Sequence, residues 1–248
     1  MHAKSGSRVV MKWKIYRPDS VIADVIRLEL NMGYDYSNIQ IFGDVAAKHV
    51  HSEATKLIRS ELGDITPDEE SAIRSLVVGP PNRWVFVGDS HGSTLTADGD
   101  SFTMLATKLS RISSTICVDM SDCAVVHFRL YEDGELVDKF GNGMFPCMNF
   151  ANAEESLSFN GSVEKWTRFL RRPYDEAWLR EAWSQESNAN SIVADTAELF
   201  GIHPDLISVG YSVFDEANEI KYNGWLNWSS SDFELFDEYH IQAPKHAG

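Results

Sequence analysis

Apolar and polar positions alternate along Met11-Lys12-Trp13-Lys14-Ile15, the period of a half-buried strand. The spacing then turns helical at Ile22, Val25, Ile26 and Leu30, until Gly33 stops the run. A second helical pattern covers Ser52–Leu62, with Ser52 as its cap and Gly63 at its end. Thr66-Pro67-Asp68-Glu69 joins a capping threonine, a first-turn proline and a glutamate three residues after the cap, the start signal of a third helix. Gly79-Pro80-Pro81-Asn82 breaks the chain before the strand-like run Trp84-Val85-Phe86-Val87, which feeds Gly88-Asp89-Ser90-His91-Gly92. Beyond it, Asp100 caps a helix whose Phe102, Leu105, Ala106, Leu109 and Ile112 make one apolar stripe.

Residues 116–140 read as three consecutive antiparallel strands. Ile116, Val118 and Met120 need the same face as Ala124, Val126, Phe128 and Leu130, which predicts a three-residue connection Ser121-Asp122-Cys123 and sets Val118 opposite Val126. Asp133-Gly134 predicts a two-residue type I′ hairpin, with Tyr131 facing Leu136 and Arg129 facing Asp138 as a cross-strand ion pair. Cys117, Asp119, Val125, His127 and Arg129 then share the opposite face, where His127 reads as a structural histidine. Gly141–Gly161 is rich in Gly, Asn and Ser and marks a soft boundary or a long loop. Helices follow from a cap at Ser162, from Asp175 and over Asn190–Phe200, and Val209–Phe214 reads as a strand. Trp166, Trp178 and Trp183 fall at helical spacings that place them in the core. The expected fold is α+β: an antiparallel meander, extended by the strand at 84–87, with helices packed on it as a single unit over 9–248 after a disordered 1–8. A parallel α/β sheet is the alternative.

Composition narrows the function. The 248 residues carry 22 basic and 37 acidic side chains, a net charge of −15, and a field of that sign repels nucleic acid. The imbalance is local, since residues 175–248 hold three basic and fourteen acidic side chains. Cys117, Cys123 and Cys147 lack Cys-x-x-Cys spacing, which argues against a disulfide framework and a thiolate zinc site and for reduced, cytoplasmic thiols. No apolar run follows the opening residues and none is long enough to span a membrane, so neither secretion nor insertion is expected.

Two short motifs carry candidate chemistry. Val85-Phe86-Val87-Gly88-Asp89-Ser90-His91-Gly92 resembles the first metal block of calcineurin-type metallophosphoesterases, in which Asp-x-His at a strand end ligates one of two metals that activate water. The resemblance implies Asp89, His91, Asp119 and Asn142 as ligands of a divalent metal pair. Asp119 lacks that family's neighbouring glycine or arginine, and Asn142 is followed by glycine in place of His-Glu. Gly88-Asp89-Ser90 also resembles the nucleophile block of GDS-type ester hydrolases, and Asp237-Glu238-Tyr239-His240 matches their Asp-x-x-His. That likeness implies Ser90 as nucleophile, His240 as base and Asp237 as its orienting carboxylate. His49-Val50-His51 with Glu53 would converge on a metal only if extended, because alternate strand residues share a face.

The preferred reading is a non-catalytic, cofactor-free interaction protein of the cytoplasm, of an immunity or inhibitor type. Its acidic C-terminal third would meet a basic protein partner rather than nucleic acid or membrane. Trp225 and Trp228, flanked by Asn and Ser, supply the aromatic anchors, and Asp232, Glu234 and Asp237 the charge.

Overall fold

The computed structural model describes residues 36–62, 73–80, 82–91, 101–121, 125–142, 160–184, 188–214 and 235–242, all within the unit Gly33–Gly248. The strand and helix expected over 11–30, the helix opening at Thr66, the Asp100 cap and most of the 141–161 boundary lie outside the described residues. So do Trp225, Trp228, Asp232 and Glu234.

Seven strands pair side by side: β1 (Tyr36–Phe42), β2 (Ile73–Val78), β3 (Trp84–Asp89), β4 (Thr115–Ser121), β5 (Val125–Glu132), β6 (Glu135–Gly141) and β7 (Asp237–Gln242). They form one open sheet in the order β6-β5-β4-β1-β3-β2-β7, with every pair antiparallel. Six described helices pack on it: α1 (Ala47–Leu62), α2 (Ser101–Leu109), α3 (Val163–Trp166), α4 (Glu176–Ala182), α5 (Ala189–Phe200) and α6 (Pro204–Ile207). The fold is α+β, as expected, and the parallel alternative is overturned. None of the described helices is long and apolar enough to cross a membrane.

The meander is present at 115–141, but the strand at 84–89 does not extend it directly, because β1 lies between β3 and β4. β1 was not anticipated. It alternates apolar Ile39 and Ile41 with polar Ser37, Asn38 and Gln40, and all three polar residues are buried. Their cost is offset by partners: Asn38 Nδ2 donates to the Ile207 and Val209 carbonyls at 3.0 and 2.8 Å, and Gln40 Nε2 to the Leu206 carbonyl at 3.1 Å. Those bonds tie the central strand to α6.

Alternation gives the sheet two buried faces. On one, Ile39, Ile41, Leu76, Val78, Val85 and Val87 pack under α1 and α2 with Val50, Ala54, Leu105 and Leu109. Against the other lie α3, α4 and α5, where Phe128, Phe140, Trp166, Trp183, Phe169 and Phe200 join Val118 and Met120. Aromatic stacking is close there, with Phe140 and Trp183 centroids 4.3 Å apart at 12°.

Several local expectations change. Val118 faces Phe128 and Met120 faces Val126, so the three-residue connection is 122–124, one residue later than expected. The Asp133-Gly134 hairpin is as expected: both residues have positive φ, 49° and 86°, and Tyr131 faces Leu136. Arg129, however, faces Lys139, because a register shift between Leu130 and Tyr131 makes Val137 an extra residue. Asp138 instead serves α3, accepting from Trp166 Nε1 at 2.6 Å and from the Ser162 amide at 2.7 Å. His49, Val50, His51 and Glu53 sit on α1, which starts five residues before Ser52 and removes the extended histidine pair. Residues 209–214 hold a single 3-10 turn, Tyr211–Val213, rather than a strand.

Candidate functional site

The helices α4 and α5 leave a groove between them that is unlike the rest of the aromatic face. A 3-10 turn at Pro173–Asp175 leads into α4, which buries Leu179 and Ala182 and turns Trp178 outward. On α5, the Asn188 side chain caps the start by accepting from the Ser191 amide at 2.9 Å, and Gly201, at φ 71°, ends the helix in the left-handed conformation glycine tolerates. Trp183 Nε1 donates to Thr196 Oγ1 at 2.9 Å and fixes the end of α4 to the middle of α5.

The groove so framed has a volume of about 290 Å³. Trp178 and Glu181 line the α4 wall, Asp195 and Glu198 the α5 wall, and Ala182 and Leu199 the floor. Each wall pairs residues three apart, which share a helix face. Trp178 is 63% exposed, whereas Trp84, Trp166 and Trp183 are at most 6% exposed. The core role expected for Trp178 is thereby corrected. The stripe Leu179, Ala182, Trp183 already fills the inward face of α4, and Trp178 falls beside it.

The groove is lined by three acidic side chains and no basic one. Among the described residues, Glu181, Asp195 and Glu198 have no ion-pair partner. Arg180, the cation on α4, is engaged by Glu164 and by Glu176, the latter at 2.9 Å. No basic residue of α5 itself lies in its last turn, where the helix dipole adds negative potential, and the Arg171 side chain packs against Gly201 at that end. Burial, then Glu198 and Glu181, push the Asp195 carboxyl above its ordinary range.

The residues singled out from the motifs are distributed elsewhere. Asp89 and Asp119 lie on the α1/α2 face of the sheet, separated by β1. Each carboxylate is held by an arginine: Arg74 Nε donates to Asp89 at 3.0 Å, and Arg129 Nη2 to Asp119 at 2.8 Å. Asp89 also accepts from the His91 amide at 3.0 Å, and Asp119 from Ser37 Oγ at 2.7 Å. The His91 imidazole is shifted down by burial and by Arg74, partly opposed by Asp89. Asn142 accepts from the Val126 amide at 2.8 Å at the far edge of the meander. Among the described residues no group of three or more His, Cys, Asp or Glu side chains is placed to hold a metal ion.

Ser90, Asp237 and His240 do not assemble in the order implied. Ser90 Oγ accepts from the Ser75 amide at 2.9 Å, and Asp237 and His240 lie on opposite faces of β7 by alternation. The hydroxyl beside His240 is that of Ser75, its cross-strand partner, with Oγ 2.8 Å from Nδ1. Glu238 Oε1 lies 3.8 Å from His240 Nε2 and accepts from the Tyr211 hydroxyl at 3.3 Å.

Compared with known proteins, the chain matches no family model, no curated protein and no solved structure.

Proposed function

We propose that this protein is an acidic interaction protein that docks a basic segment of a protein partner on the α4–α5 groove. The supporting observation is the exposed Trp178 ring set among three carboxylates that have no ion-pair partner among the described residues. Aromatic side chains concentrate binding energy at interfaces, and a surface of one sign steers and selects partners of the other. The groove belongs to the acidic C-terminal third, so the local site and the wider field favour the same class of partner. Nucleic acid is disfavoured on the same electrostatic ground.

Titration of the full chain with a lysine- and arginine-rich peptide, at low and at high salt, tests the proposal. Binding that weakens as salt rises and is lost in the triple variant E181Q/D195N/E198Q supports it. Salt-independent binding, or binding unchanged in that variant, contradicts it.

A second reading, ester hydrolysis, is favoured by one observation, the 2.8 Å contact between Ser75 Oγ and His240 Nδ1. Ser75 would attack the ester carbonyl while His240 takes its proton and returns it to the leaving alcohol, and water, deprotonated by His240, would then release the acid and restore the Ser75 hydroxyl. Labelling by a fluorophosphonate that is lost in Ser75→Ala but kept in Ser90→Ala supports this reading. An unlabelled folded protein removes it.

A further inference from the structure

We infer that the α4–α5 groove is an arginine anchor, accepting one guanidinium side chain from the partner in preference to a lysine. This rests on the docking site proposed above and names what enters it. Size comes first. At about 290 Å³ the groove lies at the lower limit of pockets that hold drug-sized molecules, roughly 300–1,000 Å³, and suits one long side chain rather than a helix or a strand. Its floor, Ala182 and Leu199, is apolar, and the methylene stem of a basic residue covers such a surface while its charged end reaches outward.

Shape then separates arginine from lysine. The exposed Trp178 indole offers a flat face, and the guanidinium is a planar, weakly hydrated cation that stacks on such faces, whereas an ammonium is a compact and strongly hydrated point charge. Carboxylates stand on both walls, Glu181 on one and Asp195 with Glu198 on the other. A rigid fork of five N–H donors addresses two walls at once. The chain uses the same devices for its own arginines. Arg168 lies over the Phe169 ring at 4.7 Å and Arg172 over Tyr174 at 5.8 Å, and Arg180 bridges Glu164 and Glu176. One bound guanidinium leaves the three carboxylates in excess, so further basic residues should flank the inserted arginine.

The test compares nona-arginine with nona-lysine, titrated into the full chain and into Trp178→Ala and Trp178→Tyr. Trp178 is mostly exposed, so its replacement spares the core. The expected result is binding of nona-arginine about three- to tenfold tighter than nona-lysine. That preference should disappear in Trp178→Ala and return in part in Trp178→Tyr. Equal affinity for the two peptides, or a preference that survives Trp178→Ala, overturns the arginine anchor while leaving the docking proposal in place. Failure of both peptides to bind overturns both.

Discussion

Arg129 and Asp119, on neighbouring strands, form an ion pair with Nη2 2.8 Å from Oδ2 and side chains only 5% and 6% exposed. Burial alone would oppose the arginine's charge. Asp119, with Cys117 and Tyr131, outweighs that cost and holds the guanidinium pKa above its ordinary value. Thr103 of α2 accepts from Nη1 at 2.9 Å, and Ser37 of β1 donates to the carboxylate, so the pair links three strands and a helix. Removing one partner leaves the other charge buried without its match. Arg129→Met or Asp119→Asn should each lower stability by about 3–5 kcal/mol, read from urea denaturation. A loss near zero in both would show that the pair is solvated in the folded protein.

Asp138 provides an independent check on the β5–β6 register. Because it serves Trp166 and the Ser162 amide rather than Arg129, Asp138→Ala should leave a buried indole N–H without an acceptor and cost about 1–3 kcal/mol. Its effect should add to that of Arg129→Met in the double variant, since among the described residues the two have different partners. Strong coupling between them would restore the direct Arg129–Asp138 pairing expected from the sequence.

That difference shows what was legible. The Asp133-Gly134 turn could be read because only residues tolerant of positive φ fit it, and it fixed Tyr131 against Leu136. One residue after Leu136, Val137 enters as a bulge, whose position the alternation of polarity does not fix. The central strand β1 was hidden for a related reason. Asn38 and Gln40 are core residues whose partners are carbonyls about 170 residues away, and no local pattern encodes such bonds. The acidity of the C-terminal third was plain from composition, but its concentration between α4 and α5 was not. A helical projection sets Trp178 at the margin of the stripe of Leu179, Ala182 and Trp183, one turn before Ala182, so spacing alone does not separate it from the core.

Gly141 tests the packing around His127. A Cβ at this position would clash with His127 Cδ2 and lie 2.7 Å from Nε2, against a ring that is buried. Gly141→Ala should cost about 1–3 kcal/mol in denaturation. Full stability would mean that the ring has room the structure does not show.

Asp195 should trade stability against binding. Burial and its two acidic neighbours raise its carboxyl pKa in the folded chain, so the folded state holds the proton more tightly than the unfolded one. Its contribution therefore favours folding at acid pH and is lost as pH rises through the raised value. At neutral pH, Asp195→Asn should raise stability slightly, by about a few tenths of a kcal/mol after allowance for solvent screening. The same change should weaken binding of a basic peptide. Thermal melts across pH, with and without the substitution, check the sign; a variant less stable at neutral pH would contradict it.

The most direct measurement is a nitrogen-15 NMR titration of the full chain with nona-arginine, read at the tryptophan indoles and the backbone amides of 176–201. The indole signal that vanishes in Trp178→Ala should shift, together with amides around Glu181, Asp195 and Glu198. The indoles of Trp84, Trp166 and Trp183, bonded to the Phe200 carbonyl, Asp138 and Thr196, should stay in place. A still Trp178 signal, with shifts confined to the β2–β7 end of the sheet or absent altogether, would contradict the account.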